Sequence, residues 1–332
     1  MVLAIHTEKF RVGYLYEDEQ IVWAVKDIDI SVPEGLAFCL VGESGSGKTT
    51  LASAVAGTLP PHSITEGKLY IFNRPVIDGP LHRYNNIRGR VVSLVPQNPG
   101  TSLNPFITVE EHFNYLLKNQ SGTSKKRVRE IASMYLSKVG LDARVLDMYP
   151  HELSGGMQQR VLISLALVNN ARILVADEPT SSIDASLKAQ IINLINQLRV
   201  EFKLTVFMVT HDILVAGTMC DVIAVMYRGK IVEVSTSREI ISNPRHPYTK
   251  MLLESTPILG VNKVLKSLPG EPPSLIGEQP GCVFTERCPY RDESCKQEPP
   301  LKLVNADKSH YLRCWKLKEP AFMPPSTNNT CS

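Results

Sequence analysis

Three short stretches of this chain carry residue types that can hold and cut a phosphate chain. GESGSGKT, residues 42 to 49, fits the spacing G-x-x-x-x-G-K-[ST] and follows a strand-like run directly. Its backbone amides can surround phosphate oxygens, Lys48 can reach the terminal phosphates, and the Thr49 hydroxyl can ligate Mg²⁺. ILVADEP, residues 173 to 179, ends an apolar run in two acids. There Asp177 can hold Mg²⁺ through its water shell, and the adjacent Glu178 can take or orient the proton of an attacking water. An Asp-Glu pair after a strand also reads as a helix N-cap, but a phosphate loop in the same chain favours the catalytic reading. Gln97 and His211 end two further apolar runs, and from there the imidazole can donate a hydrogen bond to the same terminal phosphate. LSGGMQQR, residues 153 to 160, poses a separate question. Ser154, Gly155 and Gly156 at the mouth of a helix suit an anion, yet the chain already has a complete phosphate loop upstream.

Positioning these groups requires a sheet. LAFCLVG (36 to 42), RVVSLVPQ (90 to 97), ARILVADEP (171 to 179) and LTVFMVTHD (204 to 212) read as continuous apolar strands, buried on both faces in a parallel α/β core. Each delivers a polar residue at its carboxyl end, the edge where open α/β sheets bind ligands. Between them, VEEHFNYLLKN and KKRVREIASMYLSKVG have apolar positions three or four apart, so residues 98 to 160 are expected to form a helical subdomain. After residue 255 the composition changes to PGEPPSLIGEQPG, followed by four cysteines within 33 residues. We expect one domain over 1 to 255 and a separate tail module over 256 to 332.

Composition narrows the setting. The chain has 332 residues and a net charge of +3, from 36 basic and 33 acidic residues, with no basic arm to support a nucleic-acid partner. Lys125, Lys126 and Arg127 read as a solvated helix face. The apolar runs are far short of the ~20 residues that span a bilayer, and the start has no secretory-signal pattern. A cytosolic placement is therefore expected. Seven cysteines in such a chain favour metal ligation or plain packing over a disulfide framework.

In order and spacing, GESGSGKT, Gln97, LSGGMQQR, ILVADEP, SSID (181 to 184) and His211 resemble the ATP-binding cassette domain of ABC transporters over roughly residues 1 to 250. The resemblance implies a P-loop NTPase core of RecA type with the helical subdomain inserted. It answers the question of the second anion site, because in that family the Ser-Gly-Gly segment binds the γ-phosphate of an ATP held by a facing subunit. Carried over by residue, it implies a nucleotide cradle of Gly42, Ser44, Gly45, Ser46, Gly47, Lys48, Thr49 and Thr50, and a Mg²⁺ environment of Thr49, Gln97 and Asp177. Glu178 is then the catalytic base, His211 the switch histidine, and Gln97 and Lys48 accessory catalytic groups. Ser154, Gly155, Gly156 and Gln158 form the opposing phosphate site, and Asp184 speaks to the opposite subunit. An aromatic that stacks on adenine is expected at Tyr14, with Tyr16 as runner-up.

NPGTSLNP after Gln97, NPRHPYTKMLLESTP at 243 to 257 and GCVFTERCPYRDESC at 281 to 295 look like the ATPase subunits of dipeptide and oligopeptide importers. That likeness implies a second, similar but non-identical ATPase subunit, two membrane permeases and indirectly a solute-binding protein, at the cytoplasmic face of the membrane. Importers of oligosaccharides or nickel share this ATPase type, and a soluble ABC ATPase acting on nucleic acid or ribosomes is the distant alternative. Phe106, Phe113 and Tyr115 can either meet a permease helix or fill the core. Cys282, Cys288, Cys295 and Cys314 are spaced too widely for a zinc ribbon. Members of the importer group carry a [4Fe-4S] cluster in this tail, which implies these four as its ligands, with zinc or unligated thiols as the alternatives. Cys39 and Cys220 read as packed thiols, and Cys331 lies in an end expected to fray.

Overall fold

The structure is a computed structural model that describes residues 2–16, 20–117, 124–181, 183–257, 270–271, 274–277, 279–307 and 309–316. Cys331 and residues 258–269, ahead of most of the Pro-rich stretch, lie outside the described residues. The first half of the chain runs β1 (Leu3–Leu15), β2 (Ile21–Ile28), β3 (Ser31–Pro33), β4 (Ala37–Val41), α1 (Lys48–Ala56), β5 (Ser63–Ile71), β6 (Arg74–Asp78), β7 (Leu81–His82) and β8 (Val92–Val95). Helices α2 (Pro99–Ser102), α3 (Val109–Leu117), α4 (Lys125–Lys138) and α5 (Gly155–Leu167) follow. Then come β9 (Ile173–Asp177), α6 (Ala185–Phe202), β10 (Thr205–Thr210), α7 (Ile213–Met219), β11 (Val222–Tyr227) and β12 (Lys230–Thr236). The described chain closes with α8 (Ser237–Ser242), α9 (Pro247–Ser255), β13 (Lys302–Asn305) and β14 (His310–Leu312).

All four apolar runs become strands, and they are neighbours. The main sheet has the order β13-β14-β12-β11-β4-β10-β9-β8, parallel from β11 to β8. Alternate residues of each strand enter opposite cores, as the period of two dictates. In β4, Cys39 and Val41 face a core shared with α3 to α6, while Phe38 and Leu40 face one shared with α1 and the second sheet. That is why these strands read as unbroken apolar runs.

The second sheet, antiparallel in the order β2-β1-β5-β6-β7 with β3 on β1, has no counterpart in the sequence reading. Its longest strand, β1, slips register near Phe10, Val12 and Gly13, so its burial does not alternate cleanly. Helices α3 and α4 form where their apolar spacing places them. Ser124 caps α4 by accepting from the Arg127 amide at 3.3 Å, and Lys125, Lys126 and Arg127 are exposed as expected.

The tail joins the core sheet. β14 pairs with β12 through Glu233 and Val234, and the fully buried His310 bonds Glu233 at 2.7 Å. Cys282, Val283, Phe284 and Cys295 pack in the same core as Tyr248. One reading needs correction. Cys39 and Cys220, expected as separate packed thiols, are joined in a disulfide that ties β4 to the end of α7 across 181 residues. Both lie in one apolar core, which brings their Cα atoms to 5.8 Å.

Candidate functional site

Parallel strands end on one edge, so the loops after β4, β8, β9 and β10 meet there. After β4 the chain turns through Gly42 to Gly47 into α1. Two glycines there have no substitute: a Cβ on Gly42 would sit 2.2 Å from the Met226 carbonyl oxygen, and one on Gly47, at φ +99°, 2.0 Å from that of Ala24. The loop therefore lies hard against β2 and β11.

Lys48 is buried, its ammonium donating to the Glu43 carbonyl at 2.7 Å and to the Ser46 hydroxyl at 3.3 Å. Burial pushes its pKa down, while Glu178, Asp177 and Glu43 pull it up. Thr49 donates to Asp177 Oδ1 at 3.2 Å, so two oxygens suited to a hard cation stand together. Burial raises Asp177, with Thr49 and Lys48 opposing. Across the edge, Glu178 Oε2 meets Gln97 Nε2 at 3.3 Å and His211 Nδ1 at 3.1 Å. The histidine bond is the main reason Glu178 lies below the usual carboxylate range, and the same bond raises His211. A carboxylate kept ionised, a cation and a carboxamide thus share one edge. Tyr14 lies near it, its hydroxyl 3.5 Å from that of Thr50, whereas Tyr16 is exposed further along the chain.

Ser154, Gly155 and Gly156 lie elsewhere. Ser154 caps α5, accepting from the Met157 amide at 3.4 Å. Gln158 does not face outward: its amide donates to the carbonyls of Pro150 at 2.8 Å and Leu153 at 3.3 Å, bracing the turn. Ser154 and Gly156 line a cavity of about 130 Å³ with Arg160, Leu187 and Gln190. A larger cavity, of about 300 Å³, is lined by Glu43, Ser44, Gly45, Ser46, Tyr227, Arg228 and residues 274 to 276, and the two share no residue. Asp184, at the start of α6, is exposed and makes no side-chain cap. Of the three aromatics, Phe113 is core, whereas Phe106 is 87% and Tyr115 66% exposed.

In the tail, the thiols of Cys282, Cys288 and Cys314 are pushed upward by burial first and by neighbouring thiols after it, Cys288 to about 11. Each of these three sulfurs also receives a backbone N–H from two residues on, from Phe284, Tyr290 and Lys316, the last at 3.4 Å. Amides aimed at sulfur suit thiolate ligands. Among the described residues, however, no three His, Cys, Asp or Glu side chains are drawn together in metal-ligand geometry.

Sequence reasoning missed the residues beneath the phosphate loop. Tyr248, in HPYT, is fully buried, and its hydroxyl accepts from the Glu43 amide at 2.8 Å. His246 caps α9, its Nδ1 accepting from the Tyr248 amide at 3.1 Å. Burial lowers His246 to about 4, which keeps that nitrogen free to accept. Pro247 opens the helix, as the dipeptide suggests. Arg287, in ERCPY, grips Glu43. No local signal identifies these contacts.

Comparison with known proteins adds the family. Residues 25–181 match the family described as ABC transporter, and residues 232–295 the oligopeptide/dipeptide transporter C-terminal region. The chain is 38% identical over 299 residues to the dipeptide transport ATP-binding protein DppD of Bacillus subtilis, covering 89% of each. It is 37% identical over 301 residues to the oligopeptide transport ATP-binding protein OppD of Escherichia coli, covering 90% of this chain and 89% of that one. Its fold resembles an ATP-binding cassette solved as a dimer in a post-hydrolysis state with ADP and Pi. That match has a TM-score of 0.63 and 30% identity, and covers 70% of this chain and 99% of the other.

Proposed function

The chain belongs to the ATP-binding subunits of ABC transporters, in the branch with the oligopeptide/dipeptide C-terminal region, and on that premise we propose that it hydrolyses ATP to drive uptake of dipeptides or oligopeptides. The observation that carries the reading is the convergence of Lys48, Thr49, Asp177, Glu178, Gln97 and His211 on one sheet edge, with Ser154 in a separate cavity.

The amides of Gly45 to Thr50 and the Lys48 ammonium bind the phosphates, and Tyr14 stacks on the base. Thr49 and Asp177 would hold Mg²⁺ with Gln97 alongside, and the ion would neutralise charge on the terminal phosphates. Glu178, whose carboxyl the His211 hydrogen bond holds below its ordinary pKa, orients the attacking water and takes its proton. Gln97 and His211 fix the carboxylate. Free amides at the start of α5 attract a γ-phosphate presented by a second ATP-binding subunit, with Asp184 at that same interface. Two subunits thereby close on shared nucleotides and reopen once the γ-phosphate is cut. Driving such a pair from 1:99 to 99:1 takes about 5.5 kcal/mol, within reach of several charge-assisted contacts per site.

Among the described residues no helix is long and apolar enough to cross a membrane, and in this reading the solute passes through other subunits. We take these to be two permeases, met on the helical segment 98 to 160 where Phe106 and Tyr115 are exposed, with a solute-binding protein acting through them and a non-identical ATPase as the second subunit. The protein then sits peripherally on the cytoplasmic face. Residues 1 to 255 form the nucleotide-binding part and 256 to 332 the tail. Four cysteines, three of whose sulfurs receive backbone amides, support a [4Fe-4S] cluster as the staple of that tail.

Cells lacking this chain should lose uptake of a labelled dipeptide and regain it with the wild-type chain but not with Glu178→Gln. Intact peptide uptake with loss of nickel or oligosaccharide uptake would overturn the solute. Purified without air, the protein should be brown with about four irons per chain, and a colourless zinc protein would overturn the cluster.

A further inference from the structure

The residues missed beneath the phosphate loop form one connected device. Arg287 is 7% exposed and reaches across from the cysteine-bearing tail to hold Glu43 as a fork, Nη1 to Oε2 at 2.6 Å and Nη2 to Oε1 at 3.1 Å. Glu43 is the second residue of GESGSGKT. Its remaining polar groups are also engaged: its amide donates to Tyr248 and its carbonyl accepts the Lys48 ammonium. Tyr248, Tyr227 and Phe284 pack ring against ring below, with centroids 4.7 to 5.4 Å apart, and Arg287 Nη1 also reaches the Tyr227 hydroxyl at 3.4 Å. Arg287 is thus one residue from Cys288, and one residue, Glu43, separates it from the phosphate-binding lysine. A bidentate, largely buried guanidinium–carboxylate pair fixes both position and orientation.

We propose that Arg287 is a positioning residue for ATP binding: the tail clamps the phosphate loop through Glu43, so the tail's state sets the chain's affinity for nucleotide. The inference rests on the reading that this loop binds ATP. It goes beyond that reading by giving the tail a task other than holding itself together.

The test measures ATP affinity of the full chain in EDTA, where hydrolysis does not intrude, for wild type, Arg287→Gln, Glu43→Gln and the double variant, with metal content and melting temperature measured in parallel. If wild type fails to bind ATP, the reading of the loop falls. Given wild-type binding, each single substitution should weaken ATP roughly tenfold, the scale of effects transmitted through side-chain networks. The double variant should be no weaker than either single, because both remove one interaction. Arg287→Lys, which keeps the charge but loses the fork, should fall between. A tail that merely needs Arg287 to fold predicts lower melting temperature and metal content with unchanged ATP affinity. That outcome, or additive losses in the double variant, overturns the proposal. Should Arg287→Gln not fold, Glu43→Gln and Arg287→Lys decide it: unchanged affinity in both refutes the clamp.

Discussion

Glu178 has a left-handed backbone, φ +44°, a conformation that costs a non-glycine residue free energy and persists where its surroundings enforce it. Its amide donates to the Val209 carbonyl at 2.9 Å and its own carbonyl accepts from Ser181 at 3.1 Å, so the turn is held from both sides. The carboxylate is thereby delivered to His211 and Gln97. Replacing it by the isosteric amide should leave ATP binding intact and lower kcat by about 10²- to 10⁴-fold, the usual worth of a positioned base. Nucleotide-binding and phosphate-release assays on Glu178→Gln check this, and normal turnover would refute the assignment. The histidine offers a second test. Because His211 is the main cause of Glu178's lowered pKa, His211→Ala should return that carboxylate upward and move the acid limb of the kcat–pH profile to higher pH. Any stability from the pair exists only while both partners are charged. It is lost as pH falls through the lowered pKa of Glu178, and lost again as pH rises through the raised pKa of His211. At this scale the sequence was informative where a residue closes an apolar run: Gln97, Asp177, Glu178 and His211 all follow strands whose direction fixes where they end, and Lys48 follows β4 through the glycine turn. It was silent on Arg287, whose partner lies 244 positions away and is specified by packing alone.

Elements divide the aromatic residues of the helical segment into two kinds. Phe113 of α3 is fully buried, so Phe113→Ala should cost about 3–5 kcal/mol through lost contacts and a residual cavity. Phe106, 87% exposed in the turn before α3, packs against little. Phe106→Ala should leave the denaturation midpoint within the small range of surface substitutions while reducing ATPase stimulation by the permeases; unaltered stimulation would remove this residue from the docking surface. Spacing found α3 and α4, because one-sided helices announce their period, but the same reasoning left β1 to β3 and β5 to β7 unread. Those strands bend at bulges and carry polar residues on both faces, as in TEKFR within β1, so neither an apolar run nor strict alternation survives. The cysteine pair shows the same limit. Cys39 is one of five fully buried residues of β4 and looks like any small apolar side chain, and only the close packing of α7 against β4 brings Cys220 to it. Alkylation of the unfolded protein without reductant should therefore spare Cys39 and Cys220, and labelling of both would show that they are thiols in solution.

Across the whole molecule, the phosphate loop and the Ser-Gly-Gly turn line different cavities of one chain, and α1 to α4 lie between them in sequence. A chain that used both on one nucleotide would have to bring Ser154 to its own Lys48; the alternative is that each completes a site on a neighbour. The choice can be read from pairs of substitutions in the assembled complex, with each subunit carrying one phosphate loop and one Ser-Gly-Gly helix. If sites are shared, Lys48→Ala and Ser154→Arg placed together in this chain spoil both sites, because the first disables its own loop and the second disables the site completed for the partner. Placed apart, Lys48→Ala here and the serine substitution in the partner fall on the same composite site and leave the other whole. Sites confined to one chain predict the reverse: the pair in one chain spares the partner's site, and the split pair destroys both. Turnover in the permease-bound complex should thus fall to background for the first arrangement and remain at roughly half or less for the second, since a single intact site still binds and cuts ATP while coordinated closure weakens. The mirrored outcome would dismantle the shared-nucleotide mechanism, because hydrolysis in one subunit would then have no direct bond to break in the other.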